Sequence, residues 1–439
     1  MLNKKLTRKR SNKLGLAELI AIALGGMVGG GIFSILGISV ARVGNATPIA
    51  IAVGGVLALM AAYSYVKLSQ LYKDEGATYS FYKKTFTKSH FSASVIGWLV
   101  VFGYISTLGL YAFTFASYLA SVLPFDNMEW LNKVIAGLII ALFAVVNIVS
   151  VKGMGRIEDW MVYTKLILLL FISGLLAGKG SIENFTPIFE ANTTFSAIII
   201  VASITFVAYE GFQLVIHAYN EMDNPAKNIP RAIYGSIVIA ILIYVILAIG
   251  ALSAIPKELI IKDQEFALAA GAQNIIGDLG LFVVIFGALL ATSSAISGTL
   301  FGASRLIAVI ANDGYFPKYL AKKTKNSIPK NAIITMGLLA FVLILSGGLQ
   351  LLLEFGSVTF IIVSFLMAYA NFVKRKETNS HTLLAIGAMI GLFGAAVSIF
   401  YFEYTEAPYQ LVYIVSIYAI LGVGAYFYSR LNGNTKSKE

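Results

Sequence analysis

Apolar runs of about twenty residues recur along the chain, separated by polar stretches that hold most of the charge. A hydrocarbon core ~30 Å thick needs about 20 apolar residues in a helix. That ruler predicts twelve transmembrane helices, near 15–41, 46–70, 93–123, 131–151, 156–178, 192–219, 231–254, 279–311, 331–348, 350–373, 382–402 and 409–429. No small-residue cleavage site follows a short apolar region in the first run, so it is expected to be a retained span. The only sizeable polar loops lie at 67–90, 255–278 and 312–330, and no Pro/Gly/Ser linker divides the chain. The pattern is that of one all-α integral membrane domain.

Composition agrees with that pattern. Of 439 residues, 58% are hydrophobic and 13% charged, and the mean hydropathy is +0.80, which excludes a soluble globule. The absence of cysteine removes disulfides, thiolate metal sites and cysteine nucleophiles. A net charge of +11 would suit a nucleic-acid partner only if the charges shared a face. They do not, because 27 of the 33 Lys and Arg residues fall on one side when alternate loops are counted. Such an excess marks the cytoplasmic side, so both termini are expected there, in a plasma-membrane protein. The partner that this basic charge implies is the lipid bilayer, with no role for nucleic acid.

The first run contains "GGMVGGGIF" at 25–33, five glycines in seven positions. No strand precedes it and no Lys-Ser/Thr follows it, so it is no phosphate loop. Gly25 and Gly29, and Gly26 and Gly30, have small-xxx-small spacing, which suits close helix packing. Packing needs small residues on one face, whereas consecutive Gly29, Gly30 and Gly31 cover every face, and each costs ~1 kcal/mol relative to Ala in a helix. The second reading is therefore an interrupted helix. At membrane depth a break is tolerated only where its backbone lines an enclosed cavity. One half-helix would then aim amides at an anion and the other carbonyls at a cation.

Inverted repeats place a matching break five helices later. There, "FVAYEGFQLVIH" sets Glu210 and Gly211 inside the sixth run. A mid-membrane carboxylate faces a cavity or a partner, so Glu210 is either a cavity marker or a structural carboxyl between helices. Lys165 is the only Lys or Arg within a span core. It lies nine residues past Arg156, about 13.5 Å along a helix. Burial makes its charged form costly, so it can gain and lose a proton; the alternative is a permanent cation held by carbonyls or by Glu158. Hydroxyls of Ser293, Ser294 and Ser297 could hold it or another cation. Glu18, Glu354 and His217 lie toward span ends and read as interfacial or structural groups. No metal-ligand spacing, hydrolase triad or cofactor motif is present, so neither metal nor cofactor is expected.

"GGMVGGGIF" resembles the glycine-rich first helix of the amino acid–polyamine–organocation superfamily. "GATYSFYKKTF" at 76–86 is similar to its segment after helix 2, "FVAYEGFQLVIHAYNEMDNPAKNIPRAI" at 206–233 to its helix 6 and following loop, and "GASRLIAVIANDGYFPKYLAK" at 302–322 to its helix 8 exit. The whole looks most like archaeal proton-coupled amino acid transporters of that superfamily. The resemblance implies a leucine-transporter-like architecture. A basic N-terminus (1–14) precedes a first five-helix repeat (15–178) and a second, inverted one (192–373). Helices 11 and 12 (382–429) and a cytoplasmic tail (430–439) follow. It also implies that an amino acid substrate sets its carboxylate on the amides of Gly29, Gly30 and Gly31. Its amine would meet carbonyls near Met27 and at Val207, Ala208 and Glu210, with Phe206 or Val207 near the occluding aromatic position. Lys165 would replace a sodium ion between helices 1 and 8, beside Gly26 and Ser293 or Ser294.

The resulting expectation is a proton symporter importing neutral amino acids by alternating access, and no enzyme. Alternatives are an amino acid exchanger, a membrane-embedded transferase using Glu210 as base, and a solute sensor.

Overall fold

In the computed structural model the described residues are 13–123, 129–149, 151–190, 193–263, 266–324 and 328–436, with backbone alone for 151–159 and 432–436. The basic segment 1–12, the tail end 437–439 and the side chains of Arg156 and Glu158 lie outside them. Polar and glycine punctuation between the apolar runs becomes helix ends. α1 (Leu16–Met27) and α2 (Gly31–Val43) are the two halves of the first run, and a short 3-10 turn joins α2 to α3 (Thr47–Tyr72). Then come α4 (Ala77–Thr85), α5 (His90–Ala120), α6 (Glu129–Val149), α7 (Val151–Lys179) and α8 (Phe195–Ile204). α9 (Pro225–Ala254) follows Asn224, which takes the left-handed conformation (φ 41°) with Pro225 opening the helix. The remainder is α10 (Lys257–Asp263), α11 (Ala267–Ile276), α12 (Asp278–Asn312), α13 (Lys330–Ser346), α14 (Leu349–Val373), α15 (Thr382–Glu406) and α16 (Pro408–Lys436). Among the described residues the one β-type pairing is an isolated bridge between Leu14 and Met222.

Ten stretches of the described residues are long and apolar enough to cross a membrane. The count differs from the twelve expected for two physical reasons. The first run is cut, so that α1 has only 12 residues while α2 and α3 form one continuous stretch, and α13 has 17 residues. The polar loop at 255–278 contains α10 and α11. The buried face of α11 is Ala267, Leu268, Ala269, Gly271 and Ala272, with Gly271 lying on the Ile255 side chain. Alanine is the strongest helix former, so ten residues suffice here with packing to support them.

α5 lies at the centre, packed against α6, α12, α13, α14 and α16. Its Ser106 hydroxyl donates to the Leu352 carbonyl (2.6 Å), tying it to α14. α6, α15 and α16 leave Leu138, Phe393 and Val423 exposed, the apolar rim that hydrocarbon requires. At the opposite extreme, the segment before α1 is stitched to the segment before α9. The Leu14 amide donates to the Glu221 carbonyl (2.8 Å), and the Asp223 amide donates to the Leu14 carbonyl (2.9 Å).

Candidate functional site

The break in the first helix spans Val28–Gly30, within the interval 26–31 marked by the glycines. A helix end leaves four carbonyls without intrahelical donors, and the last four of α1 all find partners. Leu24 O accepts from the Val28 amide (2.9 Å), and Gly25 O accepts from Lys165 Nζ (2.9 Å). Gly26 O accepts from the Tyr111 hydroxyl (3.3 Å), and Met27 O from the Gly29 amide (2.9 Å) and the Tyr244 hydroxyl (2.8 Å). Three different helices, α5, α7 and α9, therefore supply side chains to cap one broken end.

The glycines are packed as well as broken. A Cβ on Gly29 would fall 2.7 Å from Ala295, and one on Gly31 would fall 3.3 Å from Ala208. At Gly30 the space belongs to Thr114, whose side chain would lie 2.9 Å from such a Cβ and whose hydroxyl pairs with that of Ser34 (2.8 Å). Both readings of the motif thus hold at once. The Gly29 amide is already donated to Met27 O, whereas no acceptor among the described residues meets the amides of Gly30 and Gly31, at the start of α2.

The second break follows α8. The chain tightens into 3-10 turns at Thr205–Tyr209 and Phe212–Glu221, separated by an extended Glu210 and by Gly211 at φ 123°. Only glycine adopts that φ without strain. A Cβ on Gly211 would also sit 2.6 Å from the carbonyl carbon of Gly26, so the two interruptions touch. Val207 O accepts from the Glu210 amide (3.1 Å). Ala208 O accepts from the Tyr244 hydroxyl (3.1 Å), which shares its single hydrogen with Met27 O.

Lys165 is fully buried and reaches the Gly25 carbonyl, one residue before the expected Gly26, and the Ser294 hydroxyl of α12 (3.4 Å). Ser293, next to it, is half-buried. Glu210 is buried, and no side chain among the described residues partners either of its oxygens. It opens on a slot also lined by Gly26, Tyr104, Tyr111, Gly211, Thr299 and Phe360. Its cavity volume of about 10 Å³ admits at most a water. Met27, Gly29, Gly30, Gly31, Phe206, Val207 and Ala208 do not line this slot. They form the backbone seam beside it, and the aromatic walls are Tyr104, Tyr111 and Phe360.

Tyr244 and Tyr111 were invisible as functional residues from sequence, because a tyrosine inside an apolar run reads as core. Of the two readings of Glu354, interfacial or structural, its position fits the structural one, fully buried against the Glu403 carboxyl.

The family model for amino acid permeases matches residues 14–426. The chain is 28% identical over 438 residues to an uncharacterized protein of Methanocaldococcus jannaschii, with 98% of each chain covered. It is 27% identical to the inner membrane transport protein YbaT of Escherichia coli, covering 92% of this chain and 93% of that one. The cystine/glutamate transporter of Pongo abelii is 26% identical, with 94% of this chain and 84% of that one covered.

Proposed function

The chain belongs to the amino acid permease family, within the amino acid–polyamine–organocation superfamily, and from that premise we propose that it imports neutral amino acids together with a proton. The family is one of permeases, and YbaT and the cystine/glutamate transporter are transporters, so the transferase alternative is set aside. The proposed architecture has twelve crossings in two inverted five-helix repeats plus two helices. α1 with α2 forms the first crossing, and α8 with the 3-10 segments forms the sixth. The proposed location is the plasma membrane, with the basic loops and both termini in the cytoplasm.

The observation that carries the coupling is the Lys165 ammonium on the Gly25 carbonyl at the broken end of α1. A charge-assisted hydrogen bond is about twice as strong as a neutral one. Protonation of Lys165 then braces α1 against α7 and α12, and deprotonation loosens that brace. The substrate carboxylate goes to the amides of Gly30 and Gly31, with Gly29 shaping the turn. The amine goes to the carbonyls of Val207 and Ala208, each of which keeps a lone pair beyond its present donor, and to that of Met27, where it takes the place of the Tyr244 hydroxyl. Ser294, with Ser293 beside it, completes the lysine site, and Phe206 backs the seam. Opening of the slot at Glu210 makes room for the side chain.

In proteoliposomes, labelled amino acid uptake is expected to follow an inward pH gradient without sodium and to be abolished by Lys165→Ala. Uptake that requires sodium and survives that substitution overturns the proposal. Uptake that depends on internal amino acid and ignores the gradient assigns exchange instead.

A further inference from the structure

A second buried ionisable group lies away from Lys165 and Glu210, where α14 meets α15 on the face opposite the basic loops. Glu354, one turn into α14, and Glu403, in the last turn of α15, are both fully buried. Their carboxyls lie within hydrogen-bond reach of each other. Gln350 Nε2 donates to Glu354 Oε1 (2.7 Å). Glu354 Oε2 and both oxygens of Glu403 receive no donor from any described residue. Two ionised carboxylates offer only acceptors to each other, and like charges at this separation in a dry site cannot both persist. A single hydrogen between them supplies the missing donor and leaves one negative charge.

The other groups around the pair fit one negative charge. Arg42, at the end of α2, acts electrostatically on both carboxyls. Its guanidinium lies 3.8 Å over the Phe402 ring and donates to Glu406 (2.9 Å). α16 contributes Tyr409, and Tyr418 with its hydroxyl on Thr359 (2.7 Å). Arg42, Gln350, Phe402, Glu406, Tyr409 and Gln410 line a vestibule of about 350 Å³, which reaches the pair through Gln350, the donor to Glu354, and through Phe402, the neighbour of Glu403 in sequence. A metal ion fits less well, since no group of three His, Cys, Asp or Glu side chains among the described residues could hold one.

We propose that Glu354 and Glu403 form a proton-binding site in which one proton is shared between α14 and α15 and exchanges through the vestibule beside Arg42. Loss of that proton to vestibule water would leave two negative charges facing Arg42 and draw it from Glu406. Arg42 terminates α2, so the proton on this pair is linked to the half-helix that begins at the first break. The site is independent of Lys165 and stands whichever solute is carried.

Infrared spectroscopy of the reconstituted full chain at neutral pH tests it. The native protein should show a buried carboxylic-acid carbonyl band that shifts in D2O. The band should persist in Glu210→Gln, the control for the other buried carboxyl, and should be lost in Glu354→Gln and in Glu403→Gln. In each of these two variants an amide N–H replaces the shared proton. Either variant alone gives the readout should the other fail to fold. A band absent from the native protein, or unchanged in both dyad variants, overturns the proposal. So does a band removed at fixed pH by sodium or potassium chloride, which would make the pair a metal-cation site.

Discussion

At the residue scale, Tyr244 shows how much one hydroxyl holds. It reaches from α9 to carbonyls on both breaks, Met27 O at 2.8 Å and Ala208 O at 3.1 Å. Met27 O keeps the Gly29 amide, so Tyr244→Phe strands the Ala208 carbonyl. An unsatisfied buried acceptor costs about 1–3 kcal/mol, and the expected result is a melting temperature lowered by a few degrees in detergent, with reduced uptake. The sequence disclosed the residues that are unusual in a membrane, namely Lys165, Glu210 and the glycines. It did not disclose Tyr244, Tyr111 or Thr114, because what distinguishes these from ordinary core residues is their partner. Tyr111 and Gly26 are separated by 85 positions, and no local periodicity records such a pairing.

At the element scale, the breaks were legible where glycine made them costly. The first, with three consecutive glycines, stops the helix outright. The second is quieter, because 3-10 turns keep most of its backbone bonded and only Gly211 takes a positive φ. α11 escaped the twenty-residue ruler because ten residues packed on α12 do not need to span anything. The segment between α7 and α8 is held by another kind of link, Glu190 to Lys257 at the start of α10, with the Asn45 amide also donating to Glu190 (3.3 Å). The hydrogen bond from Lys257 holds the Glu190 carboxyl below its ordinary 4.5. A carboxyl depressed by folding adds stability that is complete above its unfolded pKa and is lost as pH falls through the folded one. Thermal stability should therefore be flat in this respect above about pH 5 and decline below it. Glu190→Gln should remove that part of the acid loss, which for a half-exposed pair is on the order of 1 kcal/mol or less.

At the scale of the whole molecule, the distribution of positive charge was the most legible feature, and it fixes an expectation about sidedness. The native chain has no cysteine, so single cysteines report without background. Lys376→Cys, exposed after α14, and Lys262→Cys, exposed in α10, should label from opposite sides with a membrane-impermeant maleimide. In intact cells only Lys262→Cys should react, and labelling of Lys376→Cys alone would invert the topology.

α1 and the Phe212–Glu221 segment are fastened at two points. One is the Leu14 stitch to Glu221 and Asp223, and the other is the Gly26–Gly211 contact where the breaks meet. Two rods joined near both ends behave as a frame, which cannot shear although it can swing. A displacement of α1 is therefore passed to the Phe212–Glu221 segment at both points, beside the seam that holds the free amides of Gly30 and Gly31.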